Sequence, residues 1–248
     1  ACARGGEVEL AERYFQQMCE DGIEPNTFTY TTLISAHSEG GDCKHALAIY
    51  DEMKAKRLGI SQHTCSALIS ACRNANQLDK ALEIFAEMKA SGAVGDVYTY
   101  SALISVYESM GDWENALATF SEMCELNIAP SIVTYSSLIS AFEKGNQWEH
   151  AMEAFANMNT RKLRPNVITF SALLSALGKG GQLDRALGIF DWMDVSKVEP
   201  DLIAYSTVLG ICARHGAWPA ASKILRQMRR RSKLQPSQLT YNLLLDQL

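Results

Sequence analysis

Apolar positions along this chain fall into a pattern that returns every 35 residues. Met18, Met53, Met88, Met123, Met158, Met193 and Met228 share one phase, and Ala11, Ala46, Ala81, Ala116, Ala151, Ala186 and Ala221 share another. Phe15, Tyr50, Phe85, Phe120, Phe155 and Phe190 keep a third, which ends at Leu225. A fourth runs through Leu33, Leu68, Leu103, Leu138 and Leu173, with Val208 as its substitute. Four residue classes in step establish an internal repeat. The full repeats are 27–61, 62–96, 97–131, 132–166, 167–201 and 202–237, the last one residue longer than the others. Residues 1–26 close an earlier repeat and 238–248 open a further one, all within a single array over 1–248.

Each repeat predicts two helices. Tyr30, Leu33, Ile34 and His37 stand at i, i+3, i+4 and i+7, one face of a first helix. Gly40-Gly41 breaks it, as Gly5-Gly6 and Gly180-Gly181 do at the same phase. Ala46, Ile49, Tyr50 and Met53 form the stripe of a second helix, where a small residue beside an aromatic and a flexible Met suits close helix packing. Pro25, Pro130, Pro165, Pro200 and Pro236 close the repeats, because the residue before a proline is pushed out of the helical region. A lone helix pair cannot cover its own apolar face, but stacked pairs can. The expected fold is all-α, a right-handed α-solenoid of 35-residue helix–turn–helix repeats with fourteen helices counting the partial ends. The Met, Phe and Leu stripes are core and carry no function.

Composition narrows the class. The chain is 47% apolar and 21% charged, and no apolar run is long enough to span a bilayer, so membrane insertion is not expected. Ala1-Cys2-Ala3-Arg4-Gly5-Gly6 matches neither a secretory signal nor a transit peptide, which suggests a piece of a longer chain with any targeting segment elsewhere. Seven cysteines make no Cys-x-x-Cys pair and no pattern with the five histidines, so no metal is expected. Cys72 and Cys212 occupy phases where other repeats carry core residues, and they read as packing residues in a reducing compartment. A net charge of −5 contrasts with the basic face usual in nucleic-acid binders.

The openings Thr29-Tyr30-Thr31-Thr32-Leu33-Ile34, Thr99-Tyr100-Ser101-Ala102-Leu103-Ile104 and Thr134-Tyr135-Ser136-Ser137-Leu138-Ile139 resemble those of pentatricopeptide repeats. So do the closings Gly22-Ile23-Glu24-Pro25-Asn26 and Lys197-Val198-Glu199-Pro200-Asp201. The resemblance spans the whole chain, and the repeats look like the plain 35-residue class. It implies recognition of single-stranded RNA at roughly one base per repeat, read by two or three side chains.

The residues to do this are present. Thr31, Ser66, Ser101, Ser136, Ser171 and Ser206 form a column of small hydroxyls off the core stripe, where a solvated helix would carry Glu or Lys. A short hydroxyl leaves room for a base and can both donate and accept. In the family the hydroxyl pairs with the residue after the closing proline. The resemblance therefore implies the pairs Thr31 with Ser61, Ser66 with Asp96, Ser101 with Ser131, Ser136 with Asn166, Ser171 with Asp201 and Ser206 with Ser237. Asn242 begins a seventh. Phe28, His63, Tyr98, Val133, Ile168 and Ile203, with Leu239 beyond them, would sandwich the bases. Backbone phosphates would meet Lys144, Lys179 and Arg214, with Arg4 at the same phase, whereas Glu39, Asn74 and Ser109 depart from the basic pattern. Family pairing rules then favour a purine-rich target, A-G-A-A-G-A from the 5′ end, with the letters opposite Ser61, Ser131 and Ser237 leaning to adenine.

Two functions fit this reading. One is sequence-selective RNA binding in organellar transcript stabilisation, processing or translation, in a chloroplast or mitochondrion as the resemblance implies. The other is a protein-interaction scaffold within an organellar assembly, favoured by the acidic charge. No phosphate loop, paired-carboxylate or nucleophile set suggests an enzyme, and no cofactor or small-molecule substrate is implied.

Overall fold

The computed structural model describes residues 8–231 together with 238, 240 and 241. Those residues hold thirteen helices and no strand. Arg4, Ser237, Leu239 and Asn242 lie outside the described residues, as does most of the segment assigned to a fourteenth helix.

The described residues form two compact blocks, one of those up to 110 together with 114–130, the other of 111–113 together with those from 131 onward. Helices α1 (Val8–Glu20), α2 (Thr27–Glu39), α3 (Cys43–Ala55), α4 (Gln62–Asn74), α5 (Leu78–Ala90) and α6 (Val97–Met110) build the first block with nearly all of α7 (Trp113–Glu125). Helices α8 (Ile132–Lys144), α9 (Trp148–Thr160), α10 (Val167–Lys179), α11 (Leu183–Val195), α12 (Leu202–Arg214) and α13 (Trp218–Arg231) build the second. First helices pack on second helices of the same repeat and on the first helix of the next, as α2 does on α3 and α4, and α10 on α11 and α12. Each block is an all-α solenoid.

Local chemistry sets the helix starts. Asn26, Ser61, Ser131, Asn166 and Asp201 each cap a first helix through a side-chain oxygen that accepts a backbone N–H three residues on. Asp96 does the same for Thr99 N at 2.9 Å. The glycine pairs act through two different demands. Gly181 has φ +67, the left-handed turn that a side chain resists, whereas Gly180 is right-handed. Its missing side chain makes room for an indole instead: a Cβ there would lie 2.3 Å from Trp148 Cδ1.

The cores are built from the stripes. In the first block Tyr30, Ile34, Ala46, Tyr50, Met53, Phe85 and Tyr100 belong to one cluster. In the second, Phe155 meets Phe170 edge-on at 5.6 Å and Phe190 meets Tyr205 at 5.4 Å, the arrangement that Phe85 and Tyr100 repeat at 5.7 Å. Cys65, Cys72 and Cys212 are fully buried. Burial pushes the Cys65 and Cys72 thiols up to about 12, so they stay protonated and act as small apolar groups. No helix is long and apolar enough to cross a membrane among the described residues.

The first block also carries a buried-edge polar network. The hydroxyls of Tyr30, Tyr50 and Tyr100 donate to Glu52, Glu87 and Glu122 at 2.6, 2.8 and 2.9 Å. Lys54 and Lys89 reach Glu87 and Glu122 at 2.8 Å, and Lys56 reaches Glu52 at 3.1 Å. All three carboxyls are held below the ordinary glutamate value of 4.5. The Tyr30 bond dominates at Glu52 and the Lys54 bond at Glu87; at Glu122 burial pulls upward but the Lys89 and Tyr100 bonds outweigh it. A depressed folded value means that the unfolded chain takes up protons first. The network's contribution is therefore complete above about pH 4.5 and is lost as pH falls through the folded values. At this phase the second block has Asn157 and Trp192, which do not titrate there. In an acid titration followed by hydrogen exchange, α2–α5 should lose protection before α9–α11. Simultaneous loss in both blocks would contradict the assignment.

Candidate nucleic-acid interface

Where a first helix begins, its second residue points out. Phe28 is 79% exposed and Tyr98 72%, and Val133, Ile168 and Ile203 are each 60% or more. His63 is exposed as well. Large apolar groups left in water at one phase in both blocks are unusual on a solvated helix surface. One turn on, the hydroxyl column lies in the groove between successive first helices. Thr31, Ser66, Ser101 and Ser136 are buried, and Ser171 and Ser206 are half-buried. This corrects a simple picture of hydroxyls displayed on the surface: they sit behind the exposed residues, closer to the helix–helix contact.

Their partners explain the burial. Thr31 Oγ1 lies 2.7 Å from Thr64 Oγ1, which lies 2.7 Å from Ser61 Oγ. In the second block Ser136 Oγ lies 2.7 Å from Thr169 Oγ1, which donates to Asn166 Oδ1 at 2.9 Å. A threonine at the third helical position thus joins the two members of each of these pairs. Ser66 instead donates to His63 O at 3.1 Å, and Thr99 donates to Asp96 Oδ1 at 2.9 Å. At the next pair the threonine is replaced by Ala204, and Ser171 Oγ is enclosed with no hydrogen-bond partner. Asp201 caps its helix through Ala204 N at 2.8 Å. The members of the remaining inner pair, Ser101 and Ser131, fall in different blocks.

The basic residues assigned to phosphates have protein partners. Lys179 Nζ sits 2.8 Å from Glu143 Oε1 and 3.0 Å from the Glu143 carbonyl, and Arg214 donates to Gly178 O at 3.2 Å. Each reaches the end of the preceding first helix, where cations complement the last carbonyls. Lys144 is likewise engaged. These contacts satisfy the cations within the fold, so phosphate binding would have to compete with them.

Chain order hides one further grouping. His37, Asp42 and His45 bring their ligand atoms within 4.8 Å of one another. Asp42 spends Oδ1 on His45 N at 3.1 Å and Oδ2 on the His45 ring at 2.6 Å, a helix-capping arrangement that accounts for both oxygens.

Among the described residues, six helix pairs follow α1, and their first helices are capped and, except for α4 with His63, fronted by an exposed apolar residue, the pattern of a helical repeat. The chain belongs to the pentatricopeptide-repeat family. The family description for the pentacotripeptide-repeat region of PRORP matches residues 34–187, and those for PPR repeats match 1–39, 165–214 and 203–232. Among solved structures, the pentatricopeptide repeat protein PPR10 from maize matches with TM-score 0.62 and 29% identity, over 98% of this chain and 35% of that one. PPR10 in complex with an 18-nt psaJ RNA element matches with TM-score 0.75 and 22% identity, over 99% of this chain and 36% of that one. The PPR domain of Arabidopsis thaliana protein-only RNase P 1, in complex with tRNA, matches with TM-score 0.65 and 18% identity, over 72% of this chain and 94% of that domain. At those two identities the likeness is one of fold. The mitochondrial 15S rRNA processing factor CCM1 of Yarrowia lipolytica is 38% identical over 52 residues, which is 21% of this chain and 7% of that protein. The chain thus spans about a third of PPR10 and far less of CCM1.

Proposed function

We propose that this chain binds single-stranded RNA, with one base per repeat sandwiched between exposed first-helix residues and read by the hydroxyl and cap pair behind them. The observation that carries this reading is the exposed column of Phe28, Tyr98, Val133, Ile168 and Ile203. These side chains give up burial at the one phase where stacking on a base would recover it, and base–aromatic stacking contributes about 1–3 kcal/mol. The short pair residues behind them leave space for a purine, so the target is purine-rich. PPR10 solved with an RNA element and the RNase P domain solved with tRNA share the fold, which supports the reading. The protein would act without catalysis, by occupying a transcript segment in a mitochondrion or chloroplast. The mitochondrial relative supports that location.

The test is an anisotropy titration against single-stranded RNA pools at several salt concentrations. Affinity should fall with salt at a slope of about −0.7 per phosphate neutralised. With Lys179 and Arg214 occupied inside the fold, that slope should be shallow and stacking should dominate. Tyr98→Ala should then weaken binding at least fivefold without changing the melting temperature, since its ring is 72% exposed. Absence of RNA binding at low salt would favour the second reading, a protein scaffold. The net charge of −5 and the internal pairing of the cations are what recommend that alternative.

A further inference from the structure

Two neighbouring reading pairs in the second block differ at one buried position. Behind Ser136 and Asn166 stands Thr169, and behind Ser171 and Asp201 stands Ala204, both fully buried. Hydrogen-bond accounting at Thr169 has a single solution. An amide oxygen only accepts, so the one Thr169 hydroxyl proton goes to Asn166 Oδ1 at 2.9 Å. Across the 2.7 Å contact Ser136 must then be the donor, and its proton points inward. Asn166 Oδ1 also accepts Thr169 N at 2.9 Å, so its two lone pairs are taken and its amide N–H groups remain for a ligand. This pair therefore offers donors from Asn166, while Ser136 can only accept unless it breaks a buried bond.

The first block reaches the same outcome by another route. Thr31 donates to Thr27 O at 2.8 Å, so Thr64 must donate to Thr31 and Ser61 to Thr64. There the reading hydroxyl spends its proton on its own helix, as Ser66 does on His63 O, and the third-position threonine is not the acceptor.

Ala204 removes the acceptor. Ser171 Oγ has no hydrogen-bond partner, so its proton is uncommitted. A rotation about χ1 can turn that hydroxyl toward a ligand without breaking any bond, and it relieves a buried unpaired group as it does so.

We propose that Thr169 and Ala204 are positioning residues that set the hydrogen-bond polarity of the two pairs they stand behind. Thr169 draws the Ser136 proton inward, and Ala204 leaves the Ser171 proton for the base. This rests on the RNA-binding reading above and adds a rule to it. Ser171 as donor beside Asp201 as acceptor complements guanine, whose Watson–Crick edge has O6 as acceptor and N1–H and the exocyclic amine as donors. Ser136 as acceptor beside Asn166 as donor complements adenine, with N1 as acceptor and its exocyclic amine as donor.

The test is Ala204→Thr in the full chain, with Ala204→Ser as the smaller variant that adds the hydroxyl alone. Short labelled purine RNAs are compared that differ only at the base facing the 167–201 repeat. The introduced hydroxyl would take the position that the Thr169 hydroxyl holds one repeat earlier and collect the Ser171 proton. The melting temperature should hold or rise, while the preference for guanine over adenine at that base falls at least fivefold. Preferences facing the other repeats should not move. A purely structural role would shift affinity for every RNA together with the melting temperature. If wild type binds RNA and either variant keeps the guanine preference, the polarity rule is wrong; so it is if both variants are destabilised. If wild type binds no RNA, it is the functional reading that fails.

Discussion

Phe155→Ala should cost about 3–5 kcal/mol of stability, the range for deleting a large aromatic from a packed core. Phe155 is 2% exposed, with Phe170 edge-on at 5.6 Å and Trp192 edge-on at 5.1 Å. It lies on α9 and touches rings on α10 and α11, so its removal opens a cavity shared by three helices. Neither Met158 nor Met193, both fully buried already, is free to fill the space. In a solenoid the contacts are between neighbours, so damage spreads by proximity. Hydrogen exchange in mild denaturant should show α9, α10 and α11 losing protection first and α13 last. Equal loss at α13 would show that the second block unfolds as one cooperative body instead.

Much of this fold was legible because the repeat multiplies weak local signals. A single stripe such as Tyr30, Leu33, Ile34 and His37 is ambiguous, but the same stripe in every repeat is not. Helix starts at Thr27, Gln62, Val97, Ile132, Val167 and Leu202 fall on the first residue of each expected repeat. The resemblance singled out the residue after each closing turn, and the structure adds that this residue caps the next first helix. Their bonding was not. Burial of Thr31 and Ser136 depends on a threonine belonging to the next repeat, roughly one period away in sequence. Nothing in a hydroxyl's own neighbours says where its proton goes. The partner of Lys179 was hidden for a related reason. Its phase is that of a surface cation, but the groove places it against Glu143, a contact that exists only after stacking. Gly180 and Gly181 likewise look like one helix breaker along the chain, because the need for Gly180 comes from Trp148 on another helix.

Asp201→Asn should shift the base preference of the 167–201 repeat from guanine to adenine while leaving stability nearly unchanged. Asn and Asp are about equally good at helix N-caps, so the bond to Ala204 N, 2.8 Å in the wild type, survives the exchange. What changes is the outward chemistry. An ionised carboxylate only accepts, which suits the N1–H of guanine, whereas the amide of Asn adds two donors. With Oδ1 kept on the cap, those donors are left over for a ligand, just as Asn166 Oδ1 is taken up by Thr169. Ser171, unpartnered behind Ala204, would then accept from the exocyclic amine of adenine as readily as it would donate to guanine O6. Exchanging complementary for clashing hydrogen bonds at one base is worth about 1–3 kcal/mol, so the preference should move about fivefold or more. Binding of RNAs altered opposite Asp96 is the control, because that carboxylate is unchanged and holds Thr99 through Oδ1. A wild type that prefers pyrimidines facing this repeat, or a variant with unaltered preference, would remove Ser171 and Asp201 from the readout and leave the fold untouched.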